Sequence, residues 1–216
     1  VDCDTLDVGK DYNKNNTGQL GAYKKGVKDM EKNSKTYQKY LNILQEELVP
    51  ALGCTEPIAI AYAAAHAVEL LGAFPERLVV ACSGNIIKNA KSVIVPTTGN
   101  LKGIEASAIL GAVGGDPKLG LEVLAPIRPE HIAQTRRLLA AGICKMELLA
   151  GTANLHIIIT AIRGKESAAV EILNEHTNIV RMLKNGAPVF QKPKDRLAEE
   201  SNGSDMSLAE IFHFAN

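Results

Sequence analysis

The stretch from Pro57 to Leu71 restricts this chain most, because it is apolar almost all the way round a helical wheel. Ile58, Ile60, Tyr62, Val68 and Leu70 are set among many alanines. A helix without a polar face has to be covered on most sides, so the remaining chain must supply a sheet or further helices around it. With 216 residues, 46% of them hydrophobic and 22% charged, it can do so. Gly72 supplies the stop, and His66 reads as a hydrogen-bonded core histidine in preference to a ligand.

The approach to this helix, Gly53-Cys54-Thr55-Glu56-Pro57, is the strongest chemical signal. Glu56 precedes a proline and is expected outside helical dihedrals, with Pro57 at the first helical position. Cys54 then lies beside a helix N-terminus, where orphan N–H groups and the macrodipole favour a thiolate. A lowered pKa would fit it to act as nucleophile, base or metal ligand. The competing reading is a buried structural cysteine at a helix cap.

The rest divides by period. Ser34 caps an amphipathic helix marked by Tyr37, Tyr40, Leu41, Leu44 and Leu48, and ending near Pro50. Arg77–Ser83 and Ser92–Pro96 read as strands. The segment between them, Ser83-Gly84-Asn85-Ile86-Ile87-Lys88-Asn89, reads as a polar loop able to cradle a carboxylate through Ser83, Asn85, Lys88 and Asn89, or as a solvated loop. Ile104–Val113 and the segment from Pro129 to about Ala141 are helical. Then the period shortens: 145–149, 154–163, 167–173 and 179–184 read as strands, with Arg163-Gly164-Lys165-Glu166 as a hairpin turn. His176-Thr177-Asn178 links two of them, either a site element or a polar turn. The expected fold is α+β, with Ala-rich buried helices packed on a mixed or antiparallel sheet and a strand-rich second half.

Four portions follow: 1–33 as a polar, flexible extension with Met30 as a natural start, 34–142 as a helix-rich α+β catalytic portion, 143–192 as a strand-rich portion, and 193–216 as a linker opening a further helix at Ser207–Glu210. A subdomain break is expected between Gly142 and Gly151.

Twenty-four basic residues balance twenty-four acidic ones, which argues against nucleic acid or an anionic membrane as partner. No stretch has the length and apolarity of a membrane span, and no signal segment is evident. The four cysteines, at 3, 54, 82 and 144, lack the close spacing of zinc sites or a disulfide framework, so reduced thiols in a cytoplasm are expected and no metal ligand is assigned. Gly114-Gly115-Asp116-Pro117 is turn chemistry without the Gly-Lys-Ser/Thr of a phosphate loop.

Taken together, Gly53–Pro57 after Glu47–Leu52, Ser83–Asn89 with Val95-Pro96-Thr97-Thr98-Gly99, and His176-Thr177-Asn178-Ile179 resemble the L-cysteine desulfidase family, itself similar to the iron-sulfur-dependent L-serine dehydratase alpha chain. The resemblance spans Tyr37–Asn216. It implies a lyase free of pyridoxal phosphate (PLP) that converts L-cysteine to pyruvate, ammonia and sulfide with a 4Fe-4S cluster. The family's cluster cysteines would lie in a C-terminal half missing from this sequence, which would then be a partner of it, and Cys82 and Cys144 do not match them. The family's proton acceptor maps onto Cys54. Thr55, Glu56, Ser83, Asn85, Lys88, Asn89, His176, Thr177 and Asn178 become candidates for binding a small amino-acid substrate. An L-serine dehydratase-like lyase, a non-catalytic amino-acid-binding module, and a thiol enzyme pairing Cys54 with His176 stay open, as does a homo-oligomeric state.

Overall fold

The computed structural model describes residues 31–48, 50–151, 153–193 and 207–215. The expected extension up to Met30 and most of the expected linker, 194–206, lie outside the described residues. The chain forms two compact units, Val1–Leu48 with Glu200–Asn216, and Val49–Glu199.

In the first unit, α1 (Lys35–Glu47) and α6 (Leu208–Ala215) meet through aromatic side chains. Ser34 Oγ accepts from the Tyr37 N–H at 3.2 Å and caps α1. Tyr37 and Tyr40 place their rings 4.8 and 5.4 Å from Phe214, and the Tyr40 hydroxyl donates to Glu210 Oε2 at 3.2 Å. Ser207 caps α6 by accepting from the Glu210 N–H at 3.2 Å, as the Ser-x-x-Glu pattern requires.

The second unit is built on one six-stranded mixed sheet in the order β2-β1-β3-β4-β5-β6. Its strands are β1 (Arg77–Cys82), β2 (Cys144–Leu148), β3 (His156–Arg163), β4 (Glu166–Leu173), β5 (Ile179–Lys184) and β6 (Ala187–Gln191). β2 runs parallel to β1, and every other neighbour is antiparallel. One face is dry: Leu78, Val80, Cys82, Ile157, Ile159, Ala161, Val170 and Ile172 are buried in a single cluster with α2 (Thr55–Leu71) and α4 (Ile104–Gly114). The other face, with Val79, Ile158, Thr160 and Ile162, is half-buried, as the imperfect alternation of β3 implies. These observations establish the α+β fold.

Helix α2 is as buried as its composition requires, with ten residues inside the protein. Its alanines let other backbones close in. A Cβ on Gly111 of α4 would stand 2.6 Å from Ala61 Cα, so glycine is the residue this crossing admits. At the far end, Gly72 terminates α2, and the Lys184 ammonium donates to the carbonyls of Leu70 and Leu71 at 2.7 and 2.9 Å, a cation at the negative helix end. His66 is half-buried, edge-on to Tyr62 at 4.6 Å, with Nδ1 3.8 Å from Glu69. Its Nε2 has no hydrogen-bond partner among the described residues, unlike the hydrogen-bonded core histidine expected from sequence.

Several expected elements differ. Ser83–Asn89 is not a loop: Gly84–Ala90 forms helix α3, turning Ile86 and Ala90 inward and Asn85 and Lys88 outward. Glycine and two asparagines hid a two-residue apolar stripe that the core can use. Ser92–Pro96 contributes one isolated bridge, Ile94 to Lys102, in place of a strand, and β6 was not anticipated. Between Gly142 and Gly151 the chain enters β2 beside β1, so the portions on either side of the expected break share one sheet. The segment 117–122 forms two short 3-10 pieces separated by a kink at Gly120, and α5 (Pro129–Ala140) packs against α4, with His131 beside Gly114.

Candidate active site

Cys54 stands at the N-cap of α2, one residue ahead of the first helical turn. The helix begins at Thr55, earlier than expected, so Glu56 is helical and Pro57 occupies the third helical position. Proline is tolerated there because the first turn's N–H groups have no intrahelical acceptor to lose. Gly53 enters with φ 147°, and a Cβ on it would come within 3.2 Å of Pro96. The Pro96–Gly99 turn therefore lies against Gly53, the residue before the cysteine. That turn is pinned from inside by the buried Thr98 hydroxyl, which donates to the Val95 carbonyl at 2.7 Å and accepts from the Leu101 N–H at 3.2 Å.

Two sequence-distant elements hydrogen-bond at the Glu56 carboxylate, and a third acts on it through charge. The Cys54 thiol donates to Oε2 at 3.1 Å, and Asn89 Nδ2, from α3, donates to Oε1 at 3.2 Å. Thr55 Oγ1 makes a long contact with Oε2 at 3.5 Å. The third element is the β4–β5 link, from which the charge of His176 acts on Glu56. Burial would raise the Glu56 pKa, but the hydrogen bonds from Cys54, its own backbone N–H and Asn89, together with His176, outweigh it and hold the carboxyl below its ordinary range.

The thiol goes the other way. Partial burial, then the hydrogen bond to Glu56 and that carboxylate's charge, push Cys54 above an ordinary cysteine, overturning the lowered pKa expected from the helix N-terminus alone. The buried-cysteine reading fails too, because Cys54 is exposed.

Of the other candidates, Asn85 and Lys88 are exposed on α3, and no side-chain hydrogen bond of either is found among the described residues. Ser83 is buried and spends its hydroxyl on the Asn154 carbonyl at 2.8 Å, tying the end of β1 to the approach to β3. Asn178 Nδ2 donates to the Leu173 carbonyl at 2.8 Å while its Oδ1 accepts from Lys192, so it closes the β4–β5 link from within. Thr177 is exposed on the same link. The cradle expected from Ser83–Asn89 thus reduces to Asn89.

A second polar group, on the half-buried sheet face, includes none of the site residues expected from sequence. Glu171 accepts from Arg181 Nε at 2.8 Å and lies 2.8 Å from His156 Nε2. It could have been found from strand register, since Glu171 is directly opposite Arg181 on β5 and diagonal to His156 on β3.

The described residues do not fit an iron-sulfur cluster. Burial, followed by the Glu105 charge, pushes both Cys82 and Cys144 to about 12, so both are neutral thiols in the protein as described. Among the described residues no group of three or more His, Cys, Asp or Glu side chains is arranged to hold a metal ion. No described helix is long and apolar enough to cross a membrane.

No protein-family model and no solved structure matches the chain. Curated proteins do. A UPF0597 protein of Lachnoclostridium phytofermentans is 50% identical over 181 residues, 83% of this chain and 43% of the relative. One from Treponema denticola is 50% identical over 157 residues, 73% of this chain and 36% of the relative. A third, from Finegoldia magna, is 46% identical over 179 residues, 82% of this chain and 43% of the relative. The chain thus spans less than half the length of these curated relatives. Its homologues over most of its own length are proteins named UPF0597.

Proposed function

We propose that the protein is a carbon–sulfur lyase acting on L-cysteine, giving pyruvate, ammonia and sulfide, with Cys54 as the proton acceptor. The observation that carries this reading is an exposed thiol, Cys54, hydrogen-bonded to a carboxylate, Glu56, that also accepts from Asn89 of α3 and feels the charge of His176. As thiolate, Cys54 removes the Cα proton; the Cα electrons form the Cα–Cβ double bond as the Cβ–S bond breaks and hydrosulfide departs. The enamine tautomerises to an imine, which water hydrolyses to pyruvate and ammonia. A base must be ionised when substrate is bound, and a thiol above the ordinary range is a strong base once it is.

The cluster implied by the resemblance would take its cysteines from the part of the longer relatives that this chain does not span. A PLP-free reaction and a cytoplasmic location belong to the same reading, and free thiols at Cys54, Cys82 and Cys144 suit a reducing compartment. The Cys–His pairing is disfavoured because the thiol bonds to Glu56, not to His176.

The test is sulfide release from L-cysteine by anaerobically prepared protein, with pyruvate release from L-serine assayed alongside. Cys54→Ser is expected to lower turnover by at least about 10²-fold, the usual scale for losing a general base. Undiminished sulfide release by that variant would remove Cys54 from the chemistry, and pyruvate from L-serine alone would make the protein a dehydratase.

A further inference from the structure

Glu56 is a half-buried carboxylate held only by neutral donors, and proton abstraction by Cys54 gives it no task. Its hydrogen bonds come from Cys54, Asn89, its own backbone N–H and, at long range, Thr55. No Lys, Arg or His nitrogen forms an ion pair with it among the described residues. His176 acts on it through charge without a bond. Because Cys54 is exposed beside it, a ligand that reaches the thiol also reaches the carboxylate.

We propose that Glu56 binds the substrate's α-ammonium group, and that this engagement releases the Cys54 thiol to ionise. The idea rests on the lyase reading for the identity of the substrate. Without ligand, Oε2 accepts the S–H, and the carboxylate's negative charge opposes a second negative charge on sulfur. An ammonium on Glu56 cancels that opposition and competes for the same lone pairs. The thiol then gives its proton to water and stays beside the Cα–H of the molecule that triggered it, with no change in oxidation state. The charged groups facing the thiol are Glu56 and, beyond it, His176, while the N-terminus of α2 contributes partial positive charge. A cysteine that ionises only under substrate is also spared oxidation between turnovers, since oxidation follows thiolate character and exposure.

The experiment is the pH profile of Cys54 alkylation by iodoacetamide, followed by mass spectrometry of the peptide that contains it. The profile is recorded alone, with L-alanine, which has the ammonium but no leaving group, and with L-lactate, which lacks the ammonium. Reading the midpoint separates ionisation from simple shielding, which changes only the plateau. L-alanine is expected to lower the midpoint by about one pH unit, roughly tenfold in rate at a fixed pH below it, and L-lactate to leave it in place. Glu56→Gln is expected to have the lowered midpoint already and to show no response to L-alanine. An unchanged midpoint with L-alanine, a shift of equal size with L-lactate, or a full L-alanine response in Glu56→Gln would overturn the proposal. Should that variant not fold, the comparison of L-alanine with L-lactate on the unaltered protein still decides. Sulfide release is scored separately: protein that shows the shift but no sulfide keeps the ammonium site and loses the lyase, and the converse loses the ammonium site alone.

Discussion

Asn89 is the residue whose contribution can be isolated from the chemistry, because it touches Glu56 and not the thiol. Glu56 has a lower pKa in the folded protein than its ordinary value of 4.5, so the folded state binds that proton less readily than the unfolded chain. A group of this kind contributes stability that is complete above the unfolded pKa and is lost as pH falls through the folded one. Asn89→Ala removes one of the bonds that lower it, narrowing the gap. Urea midpoints at about pH 5.5 and about pH 3.5 should therefore differ less in Asn89→Ala than in the parent protein, because less stability is left to lose on acidification. A larger acid loss in the variant would mean that Asn89 does not stabilise the charged carboxylate. The same change should leave the Cys54–Glu56 bond in place, so alkylation of Cys54 is expected to keep a midpoint above the ordinary 9.0.

At the level of elements, the decisive contact is the crossing of α2 and α4. Gly111 allows the two backbones to approach at Ala61, and Gly115, just past the end of α4, lies close to Ala65. Gly111→Ala places a methyl into the Ala61 backbone, which has no rotamer to yield, so the helices must separate. Overpacking of this kind costs about 1–3 kcal/mol, and here it outweighs the gain of up to about 1 kcal/mol from replacing a helix glycine. Chemical denaturation should show a loss of stability; a neutral or stabilising result would show that the crossing is looser than its geometry.

The sequence made α2 legible because a helix apolar all round admits only burial, and it made β3 and β4 legible because Ile157 and Ile159, and Val170 and Ile172, recur at the two-residue period of a strand. It hid α3 behind Gly84, Asn85 and Asn89, whose intrinsic preferences are those of a turn; burial of Ile86 and Ala90 decides the matter, and that depends on the rest of the fold. It exposed Val93–Val95 to the opposite error, since β-propensity is realised only where a partner strand is available. In the site, residue types were readable but pairings were not. Cys54 and Glu56 are close in sequence, yet nothing local says that Asn89 will bond to the same carboxylate or that the charge of His176 will act on it.

For the unit Val49–Glu199, the question is whether it unfolds as one body. β1 comes from the portion before Gly142 and lies between β2 and β3, which come after it, so neither portion can keep its hydrogen-bonded edges if the other leaves. Its buried face adds Cys82, fully enclosed, to the same cluster as Ile157 and Val170. Two thiols report on the two portions: Cys82 on β1 and Cys144 on β2, both pushed to about 12 and therefore unreactive near neutral pH while the strands are paired. A short alkylation pulse at increasing urea should label Cys82 and Cys144 at a common midpoint that coincides with the loss of far-ultraviolet circular dichroism, as a cooperative two-state transition requires. Cys54, exposed at the end of α2, should be labelled before any unfolding when the pulse is applied at high enough pH. If Cys144 became reactive well below the urea concentration that releases Cys82, with dichroism lost in two steps, the break expected between Gly142 and Gly151 would be a real boundary, and the shared sheet would not be what couples the candidate site to the strands behind it.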